Sequence, residues 1–340
     1  MVFPLLSAVS SSLEAKDVDS VVSLRRTEPD VASRTSQVKV AGDRYAHLPF
    51  EIPGAVVLSA PSLFVLRETA NDVYRRINSD TSYSNQFIIV SNVSQPLQEL
   101  LAGDRNPLEV PYRLTLDTQH QQVVIRIMPS KAHERVTGSF SNKLVLKLFE
   151  MGIRPDDDYT MNRASRYSGR TCDKEADESL TPSRNPSEDD DWPSLVIETG
   201  LSESEAQLRT DAHWWFSNSG YQVNTVILVH IKRSPERRVT LKVYKLRPIT
   251  PRTTRGLQAE VDSSLLSNRT TPQTDSPTVL QPHLADEEIT VTSMSVENAP
   301  LVLEFESVMR RPPTPNTMER DITFTAEDLA ACCSYALQTA

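Results

Sequence analysis

The sequence contains little glycine and little cysteine, and each shortage excludes a class of site. With 9 glycines in 340 residues, and no P-loop, G-x-S-x-G or H-E-x-x-H pattern, it has no loop suited to cradling a nucleotide, and no small-molecule cofactor is implied. Its 3 cysteines, Cys172, Cys332 and Cys333, form neither a C-x-x-C metal motif nor a disulfide framework. We therefore expect an intracellular protein, in the cytoplasm or nucleus, where thiols stay reduced.

Long apolar runs and an excess of positive charge are also absent. No apolar run approaches the roughly 18 residues that a membrane span needs, and residues 1–9 lack the basic start of a secretory signal. We therefore expect no association with a membrane. The net charge of −9 argues against a protein that coats nucleic acid indiscriminately. Only 38% of residues are hydrophobic and 23 are proline, which favours one folded core with disordered flanks.

One stretch near the middle of the chain carries the strongest structural pattern. Leu195–Ile197 is a continuous apolar run, typical of a strand buried on both faces, and Glu198 ends it. Ser202 and Glu205 match the S-x-x-E capping box that begins a helix. A second apolar run covers residues 223–231, so the stretch predicts a strand, a helix and a strand joined by a right-handed crossover. The buried stripe of that helix comprises Leu208, Ala212, Trp215 and Phe216.

Further elements are predicted on the N-terminal side of this stretch. Apolar residues at helical spacing predict amphipathic helices at Ser62–Asn78 and His133–Gly152. Short strands are predicted at Gln86–Ser91 and Gln122–Met128. The polar segment Asp158–Thr171 is predicted to be an edge strand of the core sheet.

Three regions follow from these patterns. Residues 1–55 show no sustained period and are predicted to be a disordered N-terminal tail. Residues 56–250 hold the predicted folded domain. Residues 251–340 are predicted to have mostly low order, apart from a strand at Leu301–Phe305 and a short terminal helix at Ala326–Leu337.

The central stretch also resembles a known family. Residues 193–233, together with Ala176–Pro182 and Pro300–Pro313, resemble a group of fungal proteins of the PD-(D/E)XK nuclease-like family. The resemblance covers residues 60–250 and a short echo near the C-terminus. It implies an α/β protein, with a restriction-endonuclease-like core in which helices 133–151 and 203–218 flank a mixed central β-sheet. It also implies metal-dependent hydrolysis of phosphodiesters in DNA or RNA.

By the same resemblance, the metal site draws acidic ligands from adjacent strands. Asp177 and Glu198 match the two acidic positions, and the backbone carbonyl of Thr199 matches a third ligand. Mg²⁺ is the expected ion, since it prefers hard oxygen ligands and activates water for attack on phosphorus. Glu134 matches an acid contributed by the first core helix, although a glutamate in a first helical turn is also favoured by the helix dipole alone.

The lysine of the family motif is missing. Gly200 occupies its position, where a lysine would stabilise the charge that develops on the attacked phosphate. Gln207, Arg209 and Lys232 are the candidates to replace it. Two functions therefore remain open: a Mg²⁺-dependent nuclease, and a catalytically degenerate nuclease-like fold that acts as a binding module.

Basic residues concentrate just after the second apolar run. They predict a hairpin that holds a nucleic-acid backbone, although a solvated hairpin without a ligand explains the same pattern. The predicted contacts are Lys232, Arg233, Arg237, Arg238 and Lys242.

The helix that follows Glu198 carries four further residues that need a role. Trp215 lies on the apolar stripe and is predicted to be core, whereas Trp214 lies off it and either packs in the core or stacks on a base. Asp211 is predicted to fix the helix through a hydrogen bond. His213 has no partner at metal-ligand spacing and is a poor metal ligand.

Overall fold

The structure is a computed structural model, and it describes residues 52–338 apart from ten gaps. The gaps are residues 81, 84, 104, 118–119, 129, 171, 184–191, 202–204, 250–278 and 285–287. The predicted tail up to residue 51 and the Ser202 end of the predicted capping box lie outside the described residues.

Sixteen strands and six helices are described in this part of the chain. In chain order they are β1 (Val56–Ser59), α1 (Leu63–Ser79), β2 (Phe87–Ser91), α2 (Gln95–Ala102), β3 (Tyr112–Asp117), β4 (Gln122–Ile127), α3 (Ser130–Glu150), β5 (Tyr159–Met161), β6 (Arg166–Ser168), β7 (Asp173–Glu175), β8 (Glu178–Pro182), β9 (Leu195–Leu201), α4 (Glu205–Asn218), β10 (Thr225–Lys232), β11 (Arg238–Ile249), β12 (Val279–Leu284), β13 (Ile289–Val291), β14 (Val296–Glu297), β15 (Leu301–Leu303), α5 (Phe305–Met309), β16 (Ile322–Phe324) and α6 (Ala326–Leu337).

These strands form two large sheets and one small one. The first sheet has the order β1-β2-β4-β3-β7-β6, and the second has the order β14-β13-β11-β10-β9-β8-β5, with β12 also paired to β11. In the second sheet β9 and β10 are parallel, whereas β8 and β11 run antiparallel to them. The predicted α/β class with a mixed sheet flanked by helices is confirmed. No helix of the described residues is long and apolar enough to cross a membrane.

The two faces of β9 pack against different helices. Leu195 and Ile197 belong to the hydrophobic cluster that contains the α3 stripe, whereas Val196 belongs to the cluster that contains the α4 stripe. Side chains alternate along a strand, so an unbroken apolar run places apolar groups on both faces. The prediction of a strand buried on both faces is therefore confirmed, with Phe140 of α3 on one side and Trp215 of α4 on the other.

Two expectations about local order need correction. Asp158–Thr171 is not one edge strand: it contains β5, at the edge of the second sheet, and β6, at the edge of the first. The prediction of mostly low order is wrong for residues 288–338, which carry β13 to β16, α5 and α6. Their strands have two or three residues each, too few to show a period in the sequence.

The C-terminal elements complete the core on the α3 side. Phe324 and Leu329 are buried in the same cluster as the α3 stripe, with the rings of Phe140 and Phe324 5.7 Å apart. Lys143 and Lys147 of α3 form ion pairs with Asp328 at 3.1 and 2.6 Å. The predicted terminal helix is present as α6, but it is part of the fold rather than an appendage.

Candidate functional site

The structure brings the two predicted acidic ligands together. Asp177 immediately precedes β8 and Glu198 lies in β9, the neighbouring strand, where Glu178 is paired with Ile197. The backbone N–H of Thr199 donates to Asp177 Oδ2 at 2.9 Å. Both carboxylates are buried, with 4% of Asp177 and none of Glu198 exposed. The carboxylates therefore share one dry site, and what neutralises them decides the chemistry.

An arginine from the first sheet bridges them. Nη2 of Arg126, on β4, donates to Asp177 Oδ1 at 2.6 Å and to Glu198 Oε2 at 3.3 Å. The Arg126 side chain is only 8% exposed. Charge-assisted hydrogen bonds of this kind are among the strongest in proteins. A guanidinium thus occupies the position at which the two carboxylates would share a metal ion.

A second cation approaches from the same sheet. Nζ of Lys174, on β7, lies 2.8 Å from Asp211 Oδ1 and 3.5 Å from Glu198 Oε1. Trp215 Nε1 donates to Glu198 Oε1 at 2.7 Å, and Gln207 Nε2 donates to Asp211 Oδ1 at 3.4 Å. The three α4 residues stand four apart, so one face of the helix supplies them all.

His133 closes the other side of the site. Its Nε2 lies 2.7 Å from the Thr199 carbonyl oxygen and 3.1 Å from Asp177 Oδ2. Both partners can only accept, so this nitrogen carries the proton and donates to them. The hydroxyl oxygens of Thr137 and Thr199 are 2.8 Å apart. The carbonyl predicted to be a third metal ligand therefore already accepts a hydrogen bond.

Six titratable side chains form what we call the buried charge cluster. It consists of Arg126, His133, Lys174, Asp177, Glu198 and Asp211.

Burial and charge act in opposite directions on the titration of this cluster. Burial alone would raise the pKa of Asp177, but Arg126 and His133 outweigh it and hold that pKa well below its usual range. Burial raises the pKa of Glu198 above its ordinary value, against the opposing effect of Lys174. For Lys174, burial would lower the pKa, but Asp211 and Glu198 raise it, so the ammonium group stays charged.

This arrangement does not fit Mg²⁺. The oxygens of Asp177 and Glu198 that converge are taken by Arg126, and an ion placed there would repel the guanidinium. Across the described residues, no group of three or more His, Cys, Asp or Glu side chains is arranged to hold a metal. The cluster balances its buried carboxylates with protein cations instead.

Comparison with known proteins adds a distant structural likeness. No family model matches the chain, and no curated protein matches it. A solved structure described as a "putative nuclease belonging to DUF820", from Anabaena variabilis, is similar over 44% of this chain and 78% of its own, at 15% identity and a TM-score of 0.32. A likeness at this level is too distant to assign a function.

Several predicted site residues lie outside the buried charge cluster. Glu134 is 59% exposed and comes only within 3.8 Å of His133 Nδ1, whereas His133 and Thr137 of the same helix reach the site. Arg209 is exposed and Lys232 lies at the start of the basic hairpin. Gln207 reaches the cluster, but through Asp211. Asp211 accepts a hydrogen bond from Gln207 of its own helix, as predicted, and it also forms an ion pair with Lys174.

Sequence reasoning missed the cations that neutralise the site. Arg126 interrupts the apolar strand Gln122–Met128, and a charged residue inside such a run is a signal of a buried partner. Lys174 lies in a polar segment, where nothing distinguishes it from a surface lysine. It also supplies a cation beside Glu198, as the motif lysine would have done, from a different strand.

The two tryptophans of α4 are both core residues. Trp214 is fully buried and its Nε1 donates to Cys172 Sγ at 3.0 Å, so it is not available to stack on a base. Trp215 is equally buried, but it contacts Glu198 directly. Nζ of Lys174 lies 5.8 and 5.7 Å from the centres of the two rings, which lowers the cost of burying its charge.

The basic hairpin exists, and part of its charge is used within the protein. Arg233 donates to the carbonyl oxygens of Ile77 and Tyr83 at 2.6 and 3.0 Å. Two of the other predicted contacts are also held within the protein: Arg237 donates to the Gln338 carbonyl, and Lys242 pairs with Glu288 at 2.7 Å. Lys232 is half-buried and Arg238 is exposed. Binding of nucleic acid by this hairpin stays a prediction.

Replacing Arg233 with glutamine is expected to lower the free energy of unfolding by about 1–3 kcal/mol, because carbonyls of Ile77 and Tyr83 lose a charged donor. Arg238→Gln, in the same hairpin, is the matched control and should change stability by less than about 0.5 kcal/mol, since it is exposed. Urea unfolding measures both. Equal losses in the two variants would show that Arg233 does not fasten the hairpin.

Proposed function

We propose that this chain is a nuclease-like domain that has kept the acidic positions of a metal site, has lost metal-dependent catalysis and acts as a binding module. The observation that carries the proposal is the contact of Arg126 Nη2 with Asp177 Oδ1 at 2.6 Å and with Glu198 Oε2 at 3.3 Å. An arginine stays protonated in proteins, so it cannot act as a general base towards a water molecule.

The buried charge cluster has a structural task under this proposal. Arg126 and Lys174 come from the first sheet. Glu198 belongs to β9 of the second sheet, Asp177 immediately precedes β8 of that sheet, and Asp211 belongs to α4. Ion pairs between the sheets fix how they face each other. Breaking one such pair is costly, because it leaves a charge buried without compensation.

The burial of Asp177 and Glu198 also supports the proposal that the chain has lost metal-dependent catalysis. Hydrolysis of a phosphodiester requires the phosphate to approach within bonding distance of the water that attacks it. Asp177 and Glu198 are 4% and 0% exposed, so neither carboxylate meets a ligand at the surface. The cavity beside Arg126, Lys174, Gln207 and Asp211 holds about 20 Å³, which is room for one water molecule and not for a nucleotide.

A Mg²⁺-dependent nuclease is the second candidate. The convergence of Asp177 and Glu198 from adjacent strands favours it, and Lys174 provides a cation in place of the one missing at Gly200. This function requires Arg126 to leave the position between the carboxylates.

A nicking assay separates the two candidates. Supercoiled plasmid, single-stranded DNA and RNA are incubated with Mg²⁺ or Mn²⁺ and with wild-type protein, Glu198→Ala or Glu134→Gln. We expect no cleavage above background in any sample. Glu134→Gln is the matched control, since Glu134 is a 59% exposed acid beside the site. Metal-dependent cleavage that survives Glu134→Gln and disappears in Glu198→Ala would overturn the proposal, and circular dichroism checks that each variant is folded.

A further inference from the structure

A basic groove opens next to the buried charge cluster. It has a volume of about 530 Å³ and lies between the loop after α2, strand β3 and the β6 edge of the first sheet. Three arginines line it, one from each of these parts: Arg105, Arg113 and Arg166. Tyr112 and Glu175 also line it. We call this the arginine groove.

Two of these arginines have donors that are not used by the protein. Nε of Arg113 and Nε of Arg166 are both buried, and neither has a hydrogen-bond acceptor among the described residues. The nearest ion pair of Arg113 Nε is with Asp177 Oδ1, at 3.7 Å, beyond hydrogen-bond length. Buried donors of this kind are rare in folded proteins and indicate a water molecule or a ligand that accepts from them.

The charge of the arginine groove is not balanced from within. Its one lining carboxylate, Glu175, accepts from Arg166 Nη2 at 2.7 Å and from the backbone N–H of Leu114 at 3.4 Å. Arg105 is exposed at the rim. Among the described residues, Arg166 is paired with Glu175 and Arg113 lies 3.7 Å from Asp177, so the excess positive charge of the groove is that of Arg105.

We propose that the arginine groove binds a ligand through its phosphate groups. A phosphate has several acceptor oxygens and matches the fork of donors on a guanidinium, so one group can satisfy more than one arginine. The volume is in the range of about 300–1,000 Å³ that is typical of small-ligand sites. The proposal deepens the proposed function, on which it rests, by naming what the binding module would hold and where.

The chemistry of the arginine groove admits two sources of phosphate. A free phosphate ester would enter as a whole, whereas a nucleic acid would present the phosphates of its backbone. Tyr112 offers no proton to either at neutral pH: its hydroxyl donates to the Leu101 carbonyl at 2.9 Å, and burial raises its pKa to about 12. The aromatic ring of Tyr112 is thus left for apolar contact, and the arginines provide the recognition.

Titration calorimetry with pyrophosphate and AMP, and fluorescence anisotropy with a labelled single-stranded oligonucleotide, test the proposal. All are done with EDTA, so that the result does not depend on metal. We expect Arg105→Gln and Arg166→Gln each to weaken binding about tenfold or more, because each removes a charged donor. Arg75→Gln, at a 72% exposed arginine of α1, is the matched control and should bind as the wild type does.

The probes distinguish the sources and the two proposals. Binding of AMP or pyrophosphate that depends on the groove arginines indicates a free phosphate ester, and binding of the oligonucleotide alone indicates a nucleic-acid backbone. The proposal that the arginine groove binds phosphate would be overturned if no probe bound, or if Arg105→Gln, Arg166→Gln and the wild type bound with equal affinity. Arg105 is exposed, so its variant keeps the test valid if Arg166→Gln unfolds. The nicking assay decides catalysis separately, since it reports on Glu198 and not on these arginines.

Discussion

Replacing Arg126 with alanine is expected to lower the free energy of unfolding by about 3–5 kcal/mol. The change removes the cation that bridges Asp177 and Glu198, which are 4% and 0% exposed, and leaves two carboxylates facing each other in a dry site. A loss of this size is a large part of the stability of an ordinary domain. Urea unfolding of the variant and the wild type, at the same pH, measures it.

The same variant tests whether arginine has replaced a metal ion. In the wild type, Mg²⁺ should leave the melting temperature unchanged, because Arg126 occupies the shared position. In Arg126→Ala, Mg²⁺ should raise it in a concentration-dependent way, because the ion relieves the repulsion between the carboxylates. Arg126→Lys keeps the positive charge and should show no such rise. The replacement hypothesis fails if Mg²⁺ stabilises the wild type as much as Arg126→Ala.

Removing either member of the Lys174–Asp211 pair should lower the free energy of unfolding by about as much as Arg126→Ala does. The two side chains are 6% and 5% exposed and 2.8 Å apart, so Lys174→Met or Asp211→Asn leaves a buried charge without its partner. We expect each single variant to lose about 3–5 kcal/mol of unfolding free energy. The double variant should lose less than the sum, with a coupling of about 1–3 kcal/mol.

An exposed ion pair provides the control for the comparison of the single and double variants of Lys174 and Asp211. Arg76 and Asp72 of α1 are 59% and 42% exposed, and Arg76→Met should cost no more than about 0.5 kcal/mol. Methionine keeps most of the lysine volume at position 174, so loss of packing does not dominate the result. Additive losses in the double variant would mean that Lys174 and Asp211 do not act as a pair.

The pattern of the central stretch was sufficient for local structure. Leu195–Ile197 and the stripe of α4 were predicted from apolar periodicity, and they form β9 and the inner face of the helix. Periodicity works there because each element is long enough to show a full repeat and is buried on the faces that the repeat defines. Strands β13, β14 and β16 are too short for that and were missed, whereas β15 lies within the predicted strand Leu301–Phe305.

The two acidic residues were predicted from the family resemblance and not from periodicity. Asp177 and Glu198 were predicted to lie on adjacent strands, and β8 and β9 bring their carboxylates to one site. The prediction that Glu198 ends its strand is wrong: β9 continues to Leu201, because backbone pairing with β10 extends beyond the apolar run. Thr199, the residue after Glu198, also reaches the site, since its backbone N–H donates to Asp177 Oδ2.

What neutralises those acids was decided by tertiary structure. Arg126 lies 51 residues from Asp177 and 72 from Glu198 in the sequence, and Lys174 lies 24 residues from Glu198. These cations reach the acids because the first sheet packs beside the second. Periodicity describes one element at a time, and the charge balance of a buried site depends on which side chains several elements place within about 4 Å of each other. The amino-acid order thus specified the longer strands and helices, and the family resemblance pointed to the acids, whereas the contact between sheets placed an arginine where a metal ion was expected.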